Sequence, residues 1–152
     1  MQQSKEVKKE VRIAIVGKYF DTGDFVLSDA YVSVIEAIKF SAYKEGRKPK
    51  LIWLNAKLFE GETKHTDAMC KKHLSDIDGI LVPGGFGETG IEGKIAVIKY
   101  ARTHKVPYFG LCYGMQLLVI EYARHVIGLT GAHTTEIDKN ALHKVIDIME
   151  DQ

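Results

Sequence analysis

Four short apolar, largely β-branched runs are separated along this chain by segments in which apolar residues recur every three or four positions. The runs are Val11-Arg12-Ile13-Ala14-Ile15-Val16, Leu51-Ile52-Trp53-Leu54, Gly79-Ile80-Leu81-Val82 and Val106-Pro107-Tyr108-Phe109. Each is short and ends near glycine or proline, the profile of a strand buried on both faces of a parallel sheet. Val32, Ile35, Ile38 and Ala42 predict a helix over 29–44, capped by Ser28 or Asp29 and stopped by Gly46 and Pro49. Further helices are predicted over 67–73, 91–104 and 115–124. Strand–helix alternation predicts one α/β domain, an open and mostly parallel sheet with right-handed crossovers and helices on both faces. In such sheets ligands collect at the carboxyl ends of the strands. Residues 1–10 are charged and lack an apolar pattern, so they read as a flexible lead-in or linker, with the domain over 11–152. Residues 20–27, containing Asp21-Thr22-Gly23-Asp24, read as a turn-rich loop near the sheet edge.

The fourth run leads into Gly110-Leu111-Cys112-Tyr113-Gly114 and then directly into a helix. Glycines flanking the cysteine permit a sharp strand-to-helix corner with the middle side chain exposed above the sheet edge, the geometry of a nucleophile elbow. A thiol there lies among unpaired helix N–H groups and positive partial charge, which favour thiolate. Pro83-Gly84-Gly85-Phe86-Gly87 also follows a strand and would meet Cys112 at the same edge. An oxyanion hole needs two inward N–H donors, and Gly85 and Tyr113 are placed to supply them. In isolation a glycine pair is simply a turn and a lone cysteine a small core residue; the juxtaposition favours chemistry.

Composition narrows the partners. The 152 residues are 45% hydrophobic, enough for a real core, and a net charge of +1 with interspersed signs gives no electrostatic case for nucleic acid or an anionic membrane. No apolar run is long enough to span a bilayer, no secretory leader is present, and there are two cysteines, Cys70 and Cys112; a cytoplasmic protein is expected. His65, Cys70 and His73 lack a fourth metal ligand and read as a solvated helix with one core cysteine, so no metal site is expected.

Ile15-Val16-Gly17-Lys18-Tyr19, 29–37, 82–94, 110–116 and Ala132-His133-Thr134-Thr135-Glu136 together resemble class I glutamine amidotransferases, and within them the glutaminase domains of the CTP synthase family. The G-x-C-x-G elbow marks the broad superfamily, whereas Pro-Gly-Gly-Phe-Gly followed by Gly90-Ile91-Glu92-Gly93-Lys94 and the later Thr135-Glu136 are much more specific to the CTP synthase type. The resemblance implies that Cys112 attacks the side-chain amide of glutamine, releases ammonia and leaves a glutamyl thioester for water to hydrolyse. It also implies that Gly85, Tyr113, Gly114, Met115 and Gln116 bind glutamine and the oxyanion, and that Glu136 holds the substrate's α-amino group. By the same resemblance, ammonia passes to a synthetase domain that uses ATP and Mg to convert UTP to CTP in a homotetramer of full-length chains, with GTP as effector and no cofactor in this segment.

The sequence departs from the family in several places. The family's catalytic histidine and glutamate come from a His-Pro-Glu segment, and a substrate-binding arginine also falls, beyond Gln152, so the chain reads as a truncated glutaminase domain and is expected to be nearly inert alone. Thr89 replaces the usual arginine of the GTP-responsive loop, which puts GTP activation in doubt. Tyr113 stands where leucine is common, without affecting a backbone donor, and residues 20–27 read as an insertion. His125, His133 and His143 do not match the position of the missing base; His133 replaces a common asparagine, and each reads as a surface or capping residue. Glu36 and Glu92 match family positions but read as cap or surface ion-pair residues. Two other functions are open to this sequence: a cysteine hydrolase of the same superfamily with another substrate, and a noncatalytic module that docks a synthetase.

Overall fold

A computed structural model describes residues 9–18, 24–85 and 87–149, with backbone only for 24–30. Four parallel strands, β1 (Glu10–Gly17), β2 (Lys48–Asn55), β3 (Gly79–Val82) and β4 (Tyr108–Gly110), form a sheet in the order β2-β1-β3-β4. The register runs Glu10↔Lys48 to Gly17↔Asn55 between β1 and β2, Ile13↔Gly79 between β1 and β3, and Ile80↔Tyr108 between β3 and β4. The chain moves outward from β1 to β2 and then crosses to β3 on β1's other side. That reversal opens a crevice beyond the carboxyl ends of β1 and β3.

The alternating sides of β1 face different layers. Ala14, Val16, Leu54, Ile80 and Val82 pack with Phe59, Cys70, Leu74, Val97 and Ala101, which places α2 (Thr63–Leu74) and α3 (Ile91–His104) over one face. A second cluster joins Ile91, Ile95 and Ile98 of α3 to Tyr113, Leu117 and Ile120 of α4 (Tyr113–Tyr122). On the opposite face, Val34, Ala37, Ile38 and Ala42 of α1 (Asp24–Lys44) line a largely apolar hollow of about 650 Å³ with Ile13, Leu81, Tyr108 and Phe109. After α4 the chain forms a π-turn, Ala123–Ile127, and a small parallel pair, β5 (Ala132–Thr134) and β6 (His143–Ile146), with an irregularity between His133 and Thr134.

The α/β architecture agrees with the apolar pattern; several boundaries do not. Glu10, assigned to the lead-in, is the first residue of β1. Asp24–Leu27, assigned to a loop, begin α1, which starts at Asp24 and is interrupted at Tyr31 (φ −119°, ψ 15°). The predicted start at Asp29 thus falls just before the interruption, while residues 20–23 lie outside the described residues. Pro49, read as a helix stop, is inside β2; this is an edge strand, where proline's missing donor can face away from the ladder. The helix α2 starts at Thr63 rather than Asp67, and α4 starts at Tyr113, two residues earlier than its apolar pattern.

Candidate functional site

Cys112 is the N-cap of α4 with φ 49° and ψ −107°, a backbone conformation that a residue bearing a Cβ adopts only when its surroundings impose it. Those surroundings are identifiable. Leu111 N–H donates to Val82 O at 2.9 Å, Gly114 N–H to Leu111 O at 2.9 Å, and Met115 and Gln116 N–H to Cys112 O at 3.0 and 3.1 Å. A Cβ at Gly110 would come within 2.5 Å of the Gly114 carbonyl carbon, and one at Gly114 within 2.2 Å of Val82 O. Both glycines of the motif are therefore steric requirements of the corner. The Tyr108 hydroxyl donates to Gly114 O at 2.8 Å and braces it from below, leaving Cys112 exposed.

The loop after β3 lies against this corner. A Cβ at Gly84 would stand 3.5 Å from Cys112 Cβ and 4.0 Å from its Sγ, whereas the equivalent position at Gly85 meets nothing within 4 Å. The buried Tyr113 ring ties loop to corner, its hydroxyl donating to Gly87 O at 3.3 Å. As the first residue of α4, Tyr113 has no intrahelical acceptor for its N–H. Gly114 is buried, Gln116 half-buried and Met115 exposed. The structure thus brings together Cys112, Gly84-Gly85 and residues 113–116; Phe86 lies outside the described residues.

Glu136 arrives from the other side. Arg124, in the π-turn after α4, donates from Nε to Ala132 O at 2.7 Å and pairs through Nη1 with Glu92 at 2.9 Å, fixing β5 against α3. Thr135 N–H donates to Ile146 O at 3.0 Å and its hydroxyl to Asp147 Oδ1 at 2.6 Å, which holds the turn bearing the exposed Glu136. Burial first, then the carboxylates of Glu136 and Glu88, push the Tyr113 phenol up to about 12. Glu136 therefore lies within electrostatic reach of the residue that follows the cysteine. The arrangement offers an exposed thiol, an N–H beside it without an intrahelical acceptor, a side-chain-free loop opposite and a carboxylate at the rim, which together suit acyl transfer from a small substrate bearing an ammonium group.

His125 and His133 are engaged elsewhere. His125 Nδ1 lies 3.2 Å from Glu121 O and 3.3 Å from Glu121 Oε1, and His133 Nδ1 accepts from Thr134 N–H at 2.9 Å. Burial and Arg124 hold His133 below the usual histidine range. No hydrogen bond joins Cys112 to a histidine among the described residues. His65 is exposed and Cys70 buried, and among the described residues no cluster of three or more side chains could hold a metal ion. Glu36 pairs with Lys39 at 2.8 Å and Glu92 with Arg124, the surface ion pairs their positions predict.

One residue beside the site escaped the sequence reading. Lys94 is 4% exposed, and its ammonium lies 5.3 Å from the centre of the Tyr113 ring. A sequence signal existed: Lys94 falls three residues after Ile91 and seven before Ala101, on the buried stripe of α3.

A family model for class-I glutamine amidotransferases matches residues 26–150. CTP synthase of Listeria innocua is 48% identical over 148 residues, covering 97% of this chain and 26% of that protein. CTP synthase of Geobacillus kaustophilus is 45% identical over 152 residues, covering all of this chain and 27% of its own. The chain thus spans about a quarter of the length of these curated relatives. Among solved structures, the glutaminase domain of Trypanosoma brucei CTPS with bound acivicin superposes with a TM-score of 0.81 at 38% identity, over 93% of this chain and 51% of that one. The match over most of its length shows that this chain belongs to the class-I glutamine amidotransferase family, in its CTP synthase glutaminase branch.

Proposed function

We propose that this chain supplies the nucleophile and oxyanion donors of a glutaminase that feeds ammonia to a CTP-forming synthetase. The observation that carries the reading is Cys112 at φ 49°, exposed beside Gly84-Gly85 and directly before the Tyr113 N–H, which has no intrahelical acceptor. The thiolate adds to the side-chain amide carbon of glutamine. The carbonyl oxygen takes up negative charge toward the N–H groups of Gly85 and Tyr113, ammonia leaves with a proton, and water cleaves the glutamyl thioester to glutamate. Gly114, Met115 and Gln116 line the bound side chain, and Glu136 faces the α-ammonium, where a carboxylate gains a charge-assisted contact. In this reading Mg-ATP and UTP belong to the synthetase, the full-length chains form a homotetramer, and Thr89 weakens any response to GTP.

The histidine arrangement supports a further step: the proton carrier comes from a part of the full-length enzyme other than the described residues. General acid–base help is worth roughly a hundredfold to ten-thousandfold, so the 152-residue chain alone should release ammonia from glutamine slower than the full-length enzyme by about that factor. The deciding comparison is Cys112→Ala in the full-length protein. It should abolish CTP formation from glutamine and leave formation from free ammonia intact. Unchanged glutamine-dependent synthesis would instead favour a noncatalytic docking module. Full-rate hydrolysis of another amide or ester by the isolated chain would favour a different cysteine hydrolase.

A further inference from the structure

Lys94 presents a physical problem that glutamine hydrolysis does not solve. Its side chain is almost completely buried, yet no hydrogen-bond acceptor or salt-bridge carboxylate pairs with its ammonium among the described residues; the Tyr113 ring lies 5.3 Å from it. Buried ammonium groups are retained when something compensates them. Burial first, then the neighbouring Lys18 ammonium, hold Lys94 below the usual lysine range, with Glu60 acting weakly in the opposite sense. A second cation beside an unpaired buried one is the reverse of what stability alone would select.

The space in front of Lys94 is a definite pocket of about 160 Å³, lined also by Gly17, Lys18, Tyr31, Pro83, Gly84 and Gly85. Gly17 and Lys18 end β1, and Pro83-Gly84-Gly85 follow β3, so the pocket occupies the crevice where the strand order reverses. Lys18 also reaches the glycine loop, its Nζ lying 3.5 Å from where a Cβ of Gly87 would be. Loops with no side chain at two successive positions leave backbone N–H groups accessible, as in backbone anion nests. At about 30 Å³ per water, the volume accepts one small oxyanion with a water or two and is too small for a nucleotide.

We propose that this pocket binds a single oxyanion of about phosphate size, with the Lys94 ammonium as its principal charge partner and Lys18 as a second. The site adjoins the Cys112 corner through Gly84 but is separate from it, and its occupancy requires no glutamine turnover. Binding there braces the loop carrying Gly85.

The test uses the 152-residue chain with inorganic phosphate, and with sodium chloride at matched ionic strength. Phosphate at tenfold above its dissociation constant should raise the Tm by about 4 °C over chloride. Lys94→Met, which keeps the side-chain volume and removes a desolvated charge, should lose that rise, and Lys18→Met should reduce it. In amide-resolved NMR of the unaltered chain, phosphate should shift Gly17, Gly84 and Gly85 in a saturable way that sulfate competes and chloride does not. An equal Tm rise in Lys94→Met would overturn the proposal. So would phosphate shifts scattered over surface lysines, or none at those glycines; the NMR arm decides even if the variant fails to fold.

Discussion

At the scale of single residues, the corner at Cys112 is a strained position held by its neighbours, and that strain is measurable. Holding a non-glycine residue at φ 49° costs about 1–3 kcal/mol, while glycine adopts it freely but loses roughly 0.5–1 kcal/mol through its more flexible unfolded state. Cys112→Gly should therefore be more stable than Cys112→Ala by about 1 kcal/mol in urea unfolding, although both lack the thiol. Equal stabilities would mean that the corner is relaxed and that the exposure of Cys112 has another cause. The corner was legible because its constraint is written as a residue type: only glycine avoids the 2.2 Å approach to Val82 O at position 114. Lys94 was not legible as a site residue, because a lysine between Gly93 and Ile95 looks like any solvated helix position until its helical stripe is traced.

Between elements, the tie joining α3 to α4 is electrostatic as well as apolar. Glu121 is fully buried and accepts from Arg102 at 3.0 Å through Nε and 2.7 Å through Nη2, with His125 3.3 Å from the same carboxylate. Removing one partner of such a pair strands a buried charge, so Arg102→Ala should cost about 3 kcal/mol. The double change Arg102→Met with Glu121→Leu replaces the pair by apolar volume and should cost clearly less than the sum of its parts. A double-mutant cycle by denaturant midpoint checks this, and strict additivity would show that the pair is solvated and weak. At this scale the long elements were readable and the short ones were not. The run 11–16 and the stripe 91–104 carry enough periods to declare themselves. By contrast, β5 is three residues, Ala-His-Thr, and β6 four, His-Lys-Val-Ile, and their pairing depends on Arg124 and Thr135 contacts far along the chain. The order β2-β1-β3-β4 was equally hidden, since nothing in the local pattern says on which side of β1 the third strand will land.

For the whole molecule, the buried acids of its layers fix how stability changes with pH. Cys70, in the core between the sheet and α2–α3, is pushed up to about 11 from 9.0, chiefly by burial and then by Asp67. Burial also raises the phenol of Tyr108, which contacts both core clusters, well above the usual tyrosine range, and pushes that of Tyr113 in the α3–α4 layer up to about 12. For an acid whose folded-state pKa is raised, the unfolded chain ionises first; the folded state therefore binds more protons as pH passes the unfolded value. The stabilising contribution is complete below about pH 9 and is lost progressively as pH climbs through 9 for the thiol and 10 for the phenols. His133 acts at the opposite limb: its folded pKa is lowered by burial and by Arg124, so its contribution holds above 6.5 and is lost as pH falls through the folded value. The urea midpoint should consequently be highest near neutral to mildly alkaline pH and fall from about pH 9 upward. Cys70 alone accounts for roughly 2–3 kcal/mol of that fall, complete only as pH passes its folded-state value of about 11. Cys70→Ala lowers the plateau by opening a small cavity, yet it should flatten the decline between pH 9 and 10 while leaving the later, phenolic decline in place. A midpoint that drops just as steeply in that variant between pH 9 and 10 would assign the alkaline limb to surface charge instead of these buried acids.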